Sequence, residues 1–419
     1  MQVIDMKFET YKFHPWIAAG IREMGYTETT PIQEQALPFV LEGKDLLGQA
    51  QTGTGKTAAF VLPILQRLLD RPHGPVRALI IAPTRELAEQ IHVAICDLGR
   101  HVKVRSVTVY GGVGMEPQIK NLRNGADIVV ACPGRLLDHI ERRNVNLSQV
   151  EVLVLDEADR MLDMGFLPDI RRILNCVPKR RQTLLFSATL PNDIRRLASD
   201  FMRDPVTVQI GTGAPVDTVS HYLYPVPQHL KAALLIALLH RTDARSVLVF
   251  TRTKHRAKRI AKQLEDAGFK STSLQGNLSQ SKRQAAMDGF RRGAYQILVA
   301  TDIAARGIDV STISHVINFD IPDSADAYTH RIGRTGRVDK TGDAFTLMTV
   351  EDEGMVRSIE ALLGAKIERR ILEDFDYHRA APEWFGDSSG QRRQSGNRNR
   401  RGMPGGARHS FQGRRPGRR

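Results

Sequence analysis

The run Val152-Leu153-Val154-Leu155-Asp156-Glu157-Ala158-Asp159 constrains this chain more than any other stretch. Apolar residues pass directly into acidic ones. An unbroken apolar run of strand length is buried on both faces, and such strands belong to parallel sheets covered by helices. Carboxylates at the end of a buried strand suit a cation. The complement lies far upstream at Gly53-Thr54-Gly55-Lys56-Thr57, a glycine-rich turn ending in Lys-Thr just before an apolar helical pattern. Glycines let successive backbone N–H groups turn toward phosphate oxygens with no Cβ in the way, and the helix start adds a favourable dipole. Together the two stretches describe a nucleoside triphosphate site. Lys56 would reach the β and γ phosphates, and Thr57 and Asp156 would hold Mg²⁺, Asp156 through water. Glu157 would orient and deprotonate the attacking water. Asp159 lies too far along to share the ion and is expected to pair with another motif. The strict phosphate-loop pattern has Gly at position 50, where this chain has Ala50.

Short apolar runs recur and alternate with helical patterns. The first half offers Asp45–Leu47, Ala78–Ala82, Ser106–Val109, Ile128–Ala131, Val152–Leu155 and Thr183–Phe186. The second offers Val247–Phe250, Ser271–Leu274, Ile297–Ala300, His315–Phe319 and Ala344–Met348. Two such series predict two α/β domains with parallel sheets. Pro205, Gly211, Gly213 and Pro215 place the boundary around Asp204–Thr218. The expected organisation is a first domain over 1–208, a linker over 209–218, a second domain over 219–375 and a tail over 376–419. Only the first series carries a phosphate loop, so the second must do something else or complete the first site from outside.

At 419 residues and 41% hydrophobic, the chain can bury sizeable cores. No apolar run reaches the ~18 residues of a membrane span, and the N-terminus shows no secretory signal pattern. Cys96, Cys132 and Cys176 lie far apart without metal-ligand spacing. These features predict a cytoplasmic protein with reduced thiols and no membrane partner; a monomer is expected. Net charge is +14, of which Ser388–Arg419 carries +10, with ten arginines, no lysine and no acid. Its Gly-, Ser-, Gln- and Asn-rich composition predicts a disordered tail. An arginine-dense tail suits nucleic-acid contact, with a solubilising role as the alternative.

The tetrapeptide at 156–159 reads D-E-A-D, and from Phe8 to Glu373 an ordered series of motifs resembles the DEAD-box ATP-dependent RNA helicases. The resemblance implies two RecA-like domains, with ATP and Mg²⁺ on the first and RNA across both. Gly25 to Gln33 resembles the family's Q motif, which gives Gln33 the adenine edge, with Phe8 packing nearby. Pro83-Thr84-Arg85, Gly111-Gly112 and Gly134-Arg135 resemble its RNA-contacting motifs. So do Arg252-Thr253, Gln280 with Arg283, and Thr301-Asp302 in the second half. Asp309 corresponds to a contact near the nucleotide ribose. Ser187-Ala188-Thr189 resembles the link between nucleotide state and RNA opening, and Asp159 and His330 join it as coupling residues. His330-Arg331-Ile332-Gly333-Arg334-Thr335-Gly336-Arg337 would bring Arg334 and Arg337 to the ATP site from the second domain. Arg160 to Phe166 and the basic tail resemble the bacterial RhlE-type branch.

Three positions depart from the family pattern: Thr29 for Pro, Cys132 for Thr and Gln275 for His. None removes a catalytic group. A DNA translocase and an ATP-dependent RNA clamp are the alternatives. The complete motif series with Gln33 speaks against the first, and intact Lys56, Glu157 and Arg337 against the second. The RNA, the pathway and the protein partners stay open, with ribosomal and RNA-degradation machinery among the expectations.

Overall fold

The apolar runs of the first half form the middle of one sheet, because side chains on both faces of each strand find helices to pack against. In the computed structural model, which describes residues 7–51, 53–69, 73–210, 219–242, 245–305, 313–335 and 342–381, the strands are β1 (Leu46–Gln49), β2 (Ala78–Ile81), β3 (Ser106–Val109), β4 (Ile128–Ala131), β5 (Val152–Leu155), β6 (Gln182–Ser187) and β7 (Val206–Gln209). They form a seven-stranded sheet in the order β3-β4-β2-β5-β6-β1-β7. Every pairing is parallel, as in Ile80 opposite Val130 and Val154. Alternate residues feed two separate cores. Ile80, Val130, Val154 and Leu184 face one; Leu79, Val129, Leu153 and Leu185 face the other.

The second half contains β8 (Val219–Pro225), β9 (Val247–Phe250), β10 (Ser271–Leu274), β11 (Ile297–Ala300), β12 (His315–Asn318), β13 (Gly342–Met348) and β14 (Glu368–Arg369). Their order is β10-β11-β9-β12-β13-β8-β14, again all parallel. Adding seven to each strand number of the first sheet reproduces the second, so one topology is used twice. The two sheets with flanking helices are two RecA-like domains.

Three strands went unread in the sequence: β7, β8 and β14. β7 falls inside the stretch expected to be a boundary, yet its residues pair along the whole of β1, from Leu46 opposite Val206 to Gln49 opposite Gln209. The ladder therefore runs into the expected linker. Residues 211–218, the remainder of that linker, lie outside the described residues, as does the tail from 382 onward. At the other end, Tyr377 continues the second core past the expected edge at 375. Its hydroxyl accepts from the Leu372 N–H at 2.9 Å, and its ring meets Phe375 edge-on at 4.9 Å. Among the described residues, no helix is long and apolar enough to cross a membrane.

Candidate nucleotide and nucleic-acid site

Strands of an open parallel sheet end at crevices where ligands bind, and the predicted site residues gather at those ends. β1 leads through Ala50 into the glycine turn. Gly53 and Gly55 have φ of 88° and 92°, the left-handed region that only glycine enters without strain. Gly55 caps the helix Lys56–Leu68. A Cβ there would lie 2.5 Å from Gln33 Nε2 and 2.8 Å from Thr30 Oγ1. Gln33 Nε2 donates to the Gly55 carbonyl at 3.0 Å, and its Oε1 accepts from the Thr30 N–H at 3.0 Å. The amide proposed to read adenine is thus already tied to the phosphate loop, with one N–H and acceptor capacity to spare. Phe8 is buried and stacks on Tyr26 at 6.1 Å. Lys56 is buried and donates from Nζ to the Ala50 carbonyl at 2.8 Å. Thr54 Oγ1 closes the turn onto the Gln51 carbonyl at 2.8 Å. Thr57 follows Lys56 in the first helical turn.

β5 delivers Asp156, Glu157 and Asp159, all buried. Burial pushes the Asp156 carboxyl up to about 6, against the pull of the Lys56 charge. A divalent cation beside it would favour the charged form. Among the described residues, no group of three or more His, Cys, Asp or Glu side chains forms a metal cage. Glu157 sits at φ 52°, a left-handed conformation rare for a side chain of its size. Arg160 Nη1 donates to its Oε2 at 2.8 Å. Asp159 pairs with the Ser187-Ala188-Thr189 motif. Its N–H donates to Ser187 Oγ at 3.1 Å, while its Oδ2 accepts from the N–H groups of Ala188 at 3.1 Å and Thr189 at 2.9 Å. The Thr189 hydroxyl donates to the same oxygen at 3.2 Å.

The motifs expected at RNA line neighbouring strand ends. After β2, Pro83 and Thr84 are buried, and Thr84 Oγ1 caps the helix Arg85–Leu98 through the Leu87 N–H at 3.2 Å. Arg85 Nη1 donates to the Gly111 carbonyl at 3.0 Å. It lies where a Cβ on Gly112 would be, and the left-handed φ of 79° there favours glycine. After β4, Gly134 is exposed at the start of the helix Pro133–Glu141, and Arg135 Nη1 reaches the Val113 carbonyl at 3.1 Å. Cys132, in place of the family's Thr, is buried; desolvation pushes its thiol up to about 12, so it stays neutral.

In the second half, Thr253 caps the helix Lys254–Asp266 through the Arg256 N–H at 3.2 Å. Arg252 is exposed, and its N–H donates to Asp320 Oδ2 at 2.8 Å. Gln280 opens the helix Gln280–Arg291, and its buried Oε1 has no hydrogen-bond partner among the described residues. Thr301 precedes the short helix begun by Asp302. Both Asp302 oxygens are taken by Arg331, at 2.6 and 2.7 Å. The residue met by Arg283 is Glu86 of the first half, with Nε and Nη2 on Oε1 at 3.1 and 2.7 Å. Arg334 is buried, and His330 is held below the usual imidazole range by burial and then by the Arg160 charge. Arg160 and Asp163 of the first half and His330, Arg331 and Arg334 of the second line one cavity of about 160 Å³. Asp309 and Arg337 lie outside the described residues.

Thr30, Arg160 and Arg331 lie within motifs read from the sequence but are given no part there. Arg160 stands at helical spacing from Glu157, a signal that was there to use. Arg331–Asp302 and Arg283–Glu86 join residues far apart in the chain, and no local pattern announces them.

Residues 30–197 match the DEAD/DEAH box helicase family model and residues 230–339 the helicase conserved C-terminal domain. The chain is 45% identical over 354 residues to the DEAD-box ATP-dependent RNA helicase CshA of Geobacillus kaustophilus, covering 84% of this chain and 76% of that one. Against CshA of Bacillus subtilis the identity is 43% over 368 residues, covering 87% and 74%. Among solved structures, S. cerevisiae Dbp5 bound to RNA and ADP BeF3 matches with a TM-score of 0.80 and 30% identity, over 87% of this chain and 95% of that one. Sequence, topology and site geometry agree: the chain belongs to the DEAD-box family of ATP-dependent RNA helicases.

Proposed function

We propose that this ATP-dependent RNA helicase hydrolyses ATP between its two halves and uses the closure of those halves to separate short RNA duplexes locally and to remodel RNA–protein contacts. The observation that supports this reading is that Arg160 and Asp163, next to the buried acids of the first half, share one cavity with His330, Arg331 and Arg334 of the second. In the proposal, Lys56 and the turn from Gly53 to Thr57 hold the phosphates, and Gln33, backed by Phe8, holds adenine. Thr57 and Asp156 hold Mg²⁺, which supplies neutralising charge to the phosphates when bound. Glu157 takes a proton from the attacking water. Arg334 and Arg337 stabilise the charge of the transferring phosphate, and Asp309 contacts the ribose region.

RNA would lie along Thr84, Arg85, Gly111, Gly112, Gly134, Arg135, Arg252, Thr253, Gln280, Thr301 and the neighbourhood of Asp302 and Arg283. Glycine, threonine and arginine suit the sugar-phosphate backbone, so sequence preference is weak. The Asp159 contacts to Ser187–Thr189, with His330 opposite, would transmit nucleotide state to that surface. A cytoplasmic monomer of the RhlE-type branch, working on ribosomal or RNA-degradation complexes, completes the proposal.

Glu157→Gln tests it. The amide preserves shape but cannot accept a proton, so ATP binding persists while turnover falls by roughly 10²–10⁴. Steady-state ATPase with RNA, beside nucleotide binding, gives the answer. Parental turnover would remove Glu157 from the chemistry.

A further inference from the structure

Arg160 directly follows the acidic motif, and its surroundings are unusual for an arginine. Its side chain is only 8% exposed, and the Glu157 carboxylate opposite is 4% exposed. A charge buried to this extent needs a partner of matching geometry. Arg160 has one in Glu157 Oε2, at 2.8 Å from Nη1. Its backbone is fixed as well, since its N–H donates to Asp159 Oδ1 at 3.0 Å. Glu157 itself starts from a left-handed backbone conformation that a helical residue does not share. Its carboxylate direction is therefore set less by its own helix than by what grips it.

The other side of Arg160 faces the second half. It lines the cavity of about 160 Å³ whose far wall includes His330, Arg331 and Arg334. Its charge is also felt at His330, where it helps hold the imidazole below its ordinary range. Were the halves to separate, that face of the guanidinium would meet water and the ion pair would weaken in the higher dielectric.

We infer that Arg160 is a positioning residue: it fixes the Glu157 carboxylate in its working orientation, and does so fully only when the second half covers it. The inference rests on Glu157 being the base, as proposed above. It would make closure of the halves a condition for an ordered base, in addition to delivering the arginines.

The test compares the parent, Glu157→Gln, Arg160→Gln and the double variant at saturating RNA and ATP, with Arg160→Lys as the conservative replacement. Partners of residues that hold a reactive group typically change activity about ten- to hundredfold when lost. Arg160→Gln is expected to lower kcat by that factor while leaving KM for ATP unchanged. Affinity for a non-hydrolysable ATP analogue, measured by calorimetry with RNA present, is expected to stay at the parental value. Arg160→Lys should recover part of the rate, and the double variant should be no slower than Glu157→Gln alone. Should Arg160→Gln melt early, Arg160→Lys carries the kcat-against-KM comparison. Losses that multiply in the double variant, or analogue affinity falling in step with rate, would overturn the inference. Parental kcat in Arg160→Gln beside a dead Glu157→Gln would overturn it while leaving the base intact. Parental turnover in Glu157→Gln would show instead that the base assignment had failed.

Discussion

The two halves share one strand order and differ in what stands at the strand ends. In the first, β1 runs into a glycine turn, and Lys56 opens the next helix with its ammonium on a loop carbonyl. In the second, β8 leads to a helix that Lys231 opens in the same way, with no glycine before it. Lys231 is also buried, but its Nζ faces Asp352 Oδ2 at 3.5 Å. Burial holds its ammonium below the ordinary lysine range, while Asp352 and Asp320 pull the other way. The acids diverge likewise. Asp156 after β5 accepts one backbone N–H, from Glu157. Asp320, just beyond β12, is occupied by the Arg252 N–H and by Arg256 Nη1. One topology therefore supports two outcomes. Where glycines free the backbone, the lysine rests on a loop carbonyl and the acid takes a single backbone N–H. Where they do not, the lysine faces Asp352 and the acid meets arginines, while His330 and Arg334 of that half line a cavity with Arg160 of the other.

Replacing each lysine by methionine is the strongest way to break this comparison. Lys56→Met should lower RNA-stimulated kcat by roughly 10²–10³ with an unchanged melting temperature. Lys231→Met should leave ATPase parameters alone and cost about 1–3 kcal/mol of stability, since Asp352 loses a partner but keeps its Thr349 bonds. Equal effects of the two on ATPase would mean that both halves bind nucleotide.

Gly55→Ala sharpens the comparison at the turn. The left-handed backbone costs about 1–2 kcal/mol for any other residue, and the new methyl would press on Gln33 and Thr30. Nucleotide affinity should fall about tenfold or more, read by fluorescence titration of an ATP analogue. Unaltered affinity would show that the turn is not the phosphate site.

The smallest effect concerns histidine. His139 is fully buried in the first half, and neither ring nitrogen has a hydrogen-bond partner among the described residues. Buried His315 of the second half meets Ser314 Oγ at 2.9 Å and Asp343 at 3.4 Å. Burial first, then Arg135, holds His139 below its ordinary value of 6.5. The unfolded chain then takes up the proton first, so this contribution is present above pH 6.5 and is lost as pH falls. His139→Leu should melt at or above the parental temperature at neutral pH and show less loss on acidification, in paired calorimetric scans. A steeper acid loss in the variant would contradict this assignment.

Central strands were legible because both faces are buried and every residue is apolar, as in β5 and β9. β7 buries only Val208 and β14 buries neither residue, while β8 sets polar Ser220 and His221 side by side after Val219. Those strands exist by pairing with β1, β13 or β8, and pairing leaves no apolar run to read. The same divide runs through the site. Lys56, Asp156 and Glu157 announce their chemistry by residue type and spacing. What tertiary packing adds is contacts between separate motifs: Gln33 on the Gly55 carbonyl, Arg331 on Asp302 and Arg283 on Glu86.

The Glu86–Arg283 pair ties a helix start of one half to a helix start of the other. Two ligands held across a pair of bodies in this way obey reciprocity. Whatever factor RNA adds to the affinity for ATP, ATP must add to the affinity for RNA. A substitution at Glu86 or Arg283 that weakens this factor must weaken it for both ligands by the same amount.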